Sequence, residues 1–292
     1  MRIVSNRIWI LVLLCFATLF QACAFSKKMT VVSAASLLDE IAKSSYKQSD
    51  LRVIREGMPA YLMLMDGMVE AWPENERLLL AASQGYASYA SAFIEDHDRS
   101  YAKSLYSKAK DYALRSLAGR GFERPIDRSF DSFEKGLAKL GKKDVPYLFW
   151  AAANWGNWIS LNLNSMEAMA QLPRVELMMR RVLELDERFY YGGPHLFMGI
   201  WYASRPKIGG GNLELAQNHF KRALELGEGK FLMTYVSYAY YYARKAFNKD
   251  LFTSTLNHVL QTPADTLPEL TLLNTVAQKK AKKMLNDIEE YF

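Results

Sequence analysis

Histidine is the residue type in this sequence best suited to metal binding and to acid–base catalysis near neutral pH. The chain has four, His97, His195, His219 and His258. Their spacing matches neither the HExxH pattern of zinc hydrolases nor another familiar metal-ligand spacing. His195 follows a Gly-Gly-Pro run, where we expect a turn and a helix start, and a local hydrogen bond is its simplest role. The histidines therefore predict no metal site.

Other catalytic signatures are equally weak. The run Gly209-Gly210-Gly211-Asn212 lacks the lysine and hydroxyl residue of a phosphate-binding loop, and we expect it to connect two helices. No GxSxG sequence is present to position a serine nucleophile. Two carboxylates beside tryptophans could act as in a glycosidase, which sequence spacing does not exclude. We predict a binding protein without a cofactor, and keep a carboxylate-dependent hydrolase as an alternative.

Four large or polar side chains on one predicted helix are candidates for ligand binding. Trp150, Asn154 and Trp158 are four residues apart and share a helical face, and Trp155 lies nearby on another. Large flat surfaces with a few polar groups are typical of pockets for apolar or amphipathic ligands. Tight packing between helices is the alternative interpretation, and the sequence leaves both open.

A second candidate surface is rich in tyrosine. Tyr235, Tyr238 and Tyr242 step by three and four residues and form one stripe on a helix. Such a stripe is typical of a core, but tyrosine also suits interfaces because it has an apolar body and a polar tip. Both interpretations stay open, and Tyr202 joins this set of groove candidates.

The first 22 residues resemble an export signal. Arg2 and Arg7 precede an apolar run, Ile8 to Phe20, that is too short for a hydrocarbon core of roughly 30 Å. Cys23 follows Ala22, as in the bacterial lipoprotein box, although Phe20 and Gln21 depart from that pattern. We predict a lipoprotein signal over 1–22 and lipidation of Cys23, with ordinary signal cleavage as the alternative.

Cysteine usage and the residue after Cys23 refine this prediction. Cys15 lies within the signal, so the mature chain would have no disulfide. Ala24 stands where aspartate would favour retention in the inner membrane. We therefore expect the protein on the periplasmic face of a bacterial membrane, more specifically the outer membrane, and attached through its N-terminal lipid.

Composition favours a folded helical protein. Hydrophobic residues make up 50% of the chain and aromatic residues 13%, which excludes a disordered chain. The formal charge of +6 falls to about +4 once Arg2 and Arg7 are removed. The densest basic cluster lies near Lys280 and is followed by acids, so no nucleic-acid surface is predicted. No long segment alternates with period two, and we predict essentially no sheet.

An internal repeat indicates helical hairpins. Ala102, Tyr106 and Ala109 have the same spacing as Ala216, Phe220 and Ala223, and each set follows a glycine, Gly85 or Gly199, by 17 residues. Each set resembles the second helix of a tetratricopeptide hairpin, where alanines allow close approach and an aromatic ring fills the gap. A third candidate for a second helix is Val175 to Asp186.

Several ordered windows resemble the T-component family of TRAP transporters, which are tetratricopeptide-like periplasmic lipoproteins. These windows are rich in aromatic residues and extend over most of the mature chain: Tyr89–Phe93, Ser104–Leu117, Val145–Asn162, Leu172–Phe189, Gly192–Gly199, His219–Leu226 and Leu272–Leu285. The resemblance is weakest between Lys27 and Met68.

The resemblance implies an all-α, tetratricopeptide-like superhelix of helical hairpins with an internal groove or pore. It also implies association with the transporter's solute-binding protein, a hydrophobic or organic ligand, and assembly into a homotrimer. We expect an anchor segment and linker over 23–48 and a single helical domain over 49–292. A tetratricopeptide scaffold for envelope protein assembly, without a small ligand, is the alternative function.

Overall fold

The computed structural model describes residue 31 and residues 34–292. The predicted signal, Cys23 and the start of the predicted linker lie outside this part of the chain. Within it the backbone forms helices and turns without a β-strand, so the all-α prediction is confirmed. No described helix combines the length and apolarity needed to cross a bilayer.

The helices follow one another with short connections. Residues 34–46 form the described part of α1, which occupies the second half of the predicted linker. The next six are α2 (Leu51–Ala71), α3 (Glu76–Tyr89, extended by a π-helical turn, Ala90–Ile94), α4 (Arg99–Ala118), α5 (Phe130–Leu137), α6 (Val145–Ser160) and α7 (Met166–Met169). The remaining six are α8 (Leu172–Asp186), α9 (Phe189–Ser204), α10 (Leu213–Leu226), α11 (Leu232–Ser237, extended by a π-helical turn, Tyr238–Ala243), α12 (Lys249–Gln261) and α13 (Thr271–Asn286).

Short polar side chains determine where several helices begin. The Asn75 carboxamide oxygen accepts from the backbone N–H groups of Arg77 and Leu78, and Asp98 caps α4 in the same way. These caps satisfy donors that have no partner within the helix. At the other end of the chain, Pro268 starts a 3₁₀ turn before α13 begins at Thr271, and another 3₁₀ turn follows Asn286.

Antiparallel hairpins form the body of the molecule. Helix α3 packs on α4, α6 on α8, α9 on α10, and α11 on α12, and each hairpin contacts the next. The repeat residues of α4 and α10 are almost fully buried at these contacts. A Cβ at Gly199 would lie 3.0 Å from the Phe220 ring, so glycine permits the close approach of α9 and α10. At Gly85 the corresponding space is occupied by Leu62 of α2.

The predicted turn at Gly192 begins two residues earlier. Tyr190, Tyr191 and Gly192 all have left-handed backbone conformations, with φ of 50°, 57° and 78°. This conformation costs roughly 1–2 kcal/mol for each residue other than glycine. Packing of the two tyrosine rings against neighbouring aromatic rings offsets that cost. The turn separates α8 from the regular part of α9.

The last helix, α13, packs against the N-terminal part of the described structure. Helix α13 contacts α2, and Leu272 packs against the apolar cluster formed by α1 to α4. The Lys280 ammonium group lies 2.8 Å from the Asp96 carboxylate, across 184 positions of sequence. The last described helix, α13, therefore contacts α2 and the connection between α3 and α4.

Candidate functional site

A cavity of about 700 Å³ lies between α1, α2 and α3 and reaches Leu272 of α13. This volume falls within the range of roughly 300–1,000 Å³ that is usual for small-molecule pockets. The apolar part of its wall comes mainly from small and medium-sized side chains: Val31, Ala35, Leu38, Ala42, Ile54, Met58, Met65, Leu78, Ala81 and Leu272. The cavity is therefore suited to an apolar molecule.

Polar and charged side chains also line the cavity, among them Asp39, Lys43 and Arg77. Two of the polar groups are phenols, from Tyr46 of α1 and Tyr61 of α2. Burial raises the pKa of each hydroxyl, and for Tyr61 the neighbouring Tyr46 and Asp39 add to this effect. Both hydroxyls are therefore neutral at physiological pH and can donate or accept hydrogen bonds.

Trp150 belongs to an aromatic cluster that joins α6 to α9. The cluster consists of Phe149, Trp150, Phe189, Tyr190, Tyr191 and Phe231. Trp150 packs edge-on against Tyr190, with ring centroids 5.1 Å apart. Burial raises the pKa of Tyr190. None of these rings is among the residues that line the cavity.

Trp155 and Asn154 are buried in the core. Both are fully buried, and the Trp155 indole N–H donates to the Gln171 carboxamide oxygen over 2.7 Å. The Asn154 carboxamide has no hydrogen-bond partner among the described residues. Trp155 thus ties α6 to the start of α8, as expected of a packing residue.

Trp158 lies on a different surface from Trp150. It contacts two apolar clusters, one formed by α1 to α4 and one that extends from the end of α4 to Tyr238. The Lys110 ammonium lies 3.6 Å from the centroid of its indole. Burial lowers the pKa of Lys110. Trp158 also borders a shallow depression on α4 lined by Ser104, Lys108 and Asp111. Trp150 and Trp158, which were predicted to share one helical face, therefore lie in two different environments.

Tyr202 is part of a polar network between α8, α9 and α10. It stacks on His219 with centroids 5.6 Å apart, and its hydroxyl accepts from Arg180 over 2.9 Å. His219 Nδ1 lies 2.9 Å from His195 Nδ1, and His195 Nε2 lies 3.0 Å from Glu187. The hydrogen bonds of His195 therefore join helices, where the sequence suggested a local role. No cluster of three or more metal-ligating side chains occurs in the described residues.

The tyrosine stripe of α11 divides into two environments. Tyr238 is buried against Phe220 and stacks on Tyr242, with centroids 5.4 Å and 5.0 Å apart. Tyr235 instead contacts His258 of α12, with centroids 4.6 Å apart. The stripe therefore contributes to the contacts between neighbouring hairpins and is only partly exposed.

Sequence reasoning missed the cavity because its wall comes from α1, α2 and α3, mostly within the segment where the family resemblance is weakest. A signal was nevertheless present. Ile54, Met58, Tyr61 and Met65 recur at three- and four-residue steps, which is typical of an apolar helix face.

The fold and the cavity together define the class of this protein. It is an all-helical protein of packed hairpins with a mostly apolar cavity. Within that class, the family model for the TRAP transporter T-component matches residues 47–292, and the chain belongs to this family. It is thus an accessory component of a TRAP transporter, a type of system associated with the cell envelope. An uncharacterised protein of Treponema pallidum (strain Nichols) is 22% identical over 263 residues, covering 84% of this chain and 81% of that protein.

Proposed function

We propose that this protein is a lipid-anchored periplasmic binding protein that assists a TRAP-type uptake system. It holds a hydrophobic or amphipathic organic ligand in the cavity and docks the solute-binding protein of the same system. Cys23 carries the lipid anchor, and the outer membrane is the preferred location. Family membership supports the link to the transporter, and the apolar cavity is the observation that carries the ligand-binding role.

The chemistry of the cavity supports a ligand that is mostly apolar. Burial of apolar surface contributes about 25 cal/mol per Å², from which the cost of ordering the ligand is subtracted. The neutral hydroxyls of Tyr46 and Tyr61 would orient one polar group of the ligand.

The binding role is tested by filling the cavity. Ala81 lines it, and Ala81→Trp places a large ring in the space that a ligand would use. We expect a fluorescent fatty-acid analogue to bind the chain from Ala24 onwards and to bind Ala81→Trp at least about tenfold more weakly, a loss of about 1.4 kcal/mol.

Ala246→Trp is the matched control, because Ala246 is exposed in the turn before α12. Circular dichroism establishes that both variants are folded. Equal affinity of both variants and the unaltered chain would reject the cavity as the binding site.

The link to the transporter has a separate test. The solute-binding protein encoded beside this chain's gene should co-purify with it after mild cross-linking. A protein that binds the probe but never captures this partner would favour an independent lipid-binding role. Capture of the partner without probe binding would favour the scaffold alternative. The hydrolase alternative draws no support from Trp150 and Trp155, whose contacts in the described structure are with aromatic rings and the Gln171 amide.

A further inference from the structure

Three charged side chains of the described structure line the cavity between α1, α2 and α3, namely Asp39, Lys43 and Arg77. The Lys43 ammonium pairs with the Asp39 carboxylate at 2.7 Å and with the Glu40 carboxylate at 2.8 Å. The backbone N–H of Arg77 donates to the Asn75 carboxamide oxygen, but its guanidinium forms no ion pair or hydrogen bond with a described residue. The cavity wall therefore presents one positive charge without a counter-ion.

The acids beside Arg77 in the sequence do not neutralise it. The Glu76 carboxylate pairs with Arg120 at 3.1 Å, and its side chain lies against Gly119, so it is turned towards α4. Glu74 is exposed in the connection before α3 and forms no ion pair within the described structure. Arg77 is itself exposed, so water solvates its charge when no ligand is bound. Its guanidinium is therefore available to an anion from outside the chain.

This charge lies at one end of the cavity. Helix α3 contributes one line of residues to the wall: Arg77, Leu78, Ala81, Gln84, Gly85 and Ser88. From Arg77 to Ser88 the helix rises about 16 Å. The Tyr61 ring lies against Gly85, about 12 Å along the helix from Arg77. A positive charge at one end of a long, mostly apolar space matches a ligand with an anionic group at one end of an apolar chain.

The volume of the cavity favours a ligand with a single chain. About 700 Å³ is the size of a pocket for one drug-sized molecule. A phospholipid has two acyl chains to bury, so it fits this space less well than a molecule with one chain. A guanidinium can form two parallel hydrogen bonds with a carboxylate or a phosphate, which would fix the orientation of such a ligand.

We propose that the ligand is a single-chain amphiphilic anion, such as a fatty acid or a lysophospholipid, and that Arg77 selects its charged head. This inference rests on the proposed function, because it assigns a ligand class to the same cavity. The apolar chain lies along α3, and the carboxylate or phosphate pairs with Arg77. The phenols of Tyr46 and Tyr61 are then available to an uncharged polar group further along the ligand.

Two fluorescent probes with the same alkyl chain test this selection, one ending in a carboxylate and the other in an alcohol. We expect the chain from Ala24 onwards to bind the carboxylate about three- to tenfold more tightly, a preference that salt weakens. Arg77→Gln should bind both probes equally, whereas Arg77→Lys should keep part of the preference. Arg55→Gln is the matched control, because it removes the same charge from an exposed residue of α2 that does not line the cavity. Circular dichroism establishes that each variant is folded.

The outcomes separate this inference from the proposed function. Equal binding of the two probes by the unaltered chain, or a preference that Arg77→Gln leaves intact, overturns the inference while the binding role of the cavity stands. Binding of neither probe rejects both. Displacement of the carboxylate probe by phosphatidylglycerol as effectively as by a single-chain anion also overturns the inference.

The source of the anion is tested with the same carboxylate probe, offered either in solution or in phosphatidylcholine vesicles. Transfer from the vesicles supports the proposal with the membrane as the source. Binding from solution alone supports it with a free anion as the source. A probe that is taken up by neither route contradicts the proposal.

Discussion

At the residue scale, the pair His195 and His219 is a part-buried polar contact in which both imidazoles have lowered pKa values. His195 Nε2 faces the Glu187 carboxylate, which also pairs with Arg222. Since one ring nitrogen of each neutral histidine carries the proton, His195 donates to Glu187 through Nε2 and accepts from His219 at Nδ1. When both rings are protonated, each Nδ1 is a donor, and the contact between them is broken.

The protonation of this pair predicts a pH-dependent stability. Burial, together with the charges of His195 and Arg180, lowers the pKa of His219 to about 4, and burial lowers the pKa of His195. Because the unfolded chain binds these protons more readily, stability is full above the unfolded pKa near 6.5 and is lost as the pH falls towards 4. We expect His219→Asn, whose amide can donate to His195 without titrating, to reduce the loss of unfolding free energy between pH 7 and pH 5 by about 1 kcal/mol.

The measurement is urea unfolding at both pH values. His258→Asn is the control, because His258 is exposed on α12. A loss of stability that is the same in His219→Asn and in the unaltered chain would show that other groups account for the pH dependence.

At the element scale, close packing between helices depends on a few glycines, which have no side chain. Gly199 of α9 faces the Phe220 ring of α10, and Gly67 of α2 faces open space. The same substitution therefore has opposite effects at the two positions. The sequence repeat identified Gly199 as significant, and the structure supplies the reason.

We expect Gly199→Ala to destabilise the chain by about 1–3 kcal/mol, since its Cβ would overpack the Phe220 ring. Gly67→Ala should instead stabilise it by up to about 1 kcal/mol, because alanine favours the helix and meets no atom. Chemical denaturation at high dilution, where self-association is negligible, compares the two. Equal effects of the two substitutions would contradict the packing argument.

At the scale of the whole molecule, α13 packs against α2 and forms an ion pair with the connection between α3 and α4. The Tyr106 hydroxyl donates to Glu95 over 2.7 Å, and burial together with Glu95 raises the pKa of Tyr106. Tyr241 of the last hairpin lies close enough to Glu95 for its own pKa to rise to about 12, after the larger effect of burial. Together with Lys280 and Asp96, these groups lie where α11 and α13 approach the connection between α3 and α4.

Reversal of the closing ion pair tests this contact. Lys280→Glu places a like charge beside Asp96, and we expect a loss of about 1 kcal/mol or less, with faster hydrogen exchange in residues 90–94. The double substitution Lys280→Asp with Asp96→Lys restores opposite charges and should recover much of the protection. Exchange that is unchanged in Lys280→Glu would show that the apolar contacts of Leu272 are sufficient for closure.

The amino-acid sequence alone determined the helical class and the hairpin repeat in α4 and α10. These features depend on residues within a few helical turns of one another, so the spacing of apolar and small residues is sufficient to reveal them. The tertiary structure alone decided that Trp150 packs against Tyr190 while Trp158 packs against Lys110, and that His195 meets His219. Helical periodicity shows which face of a helix is buried but not which distant helix covers it. The cavity depends on how α1, α2 and α3 meet α13, and that arrangement results from many packing contacts between distant parts of the chain.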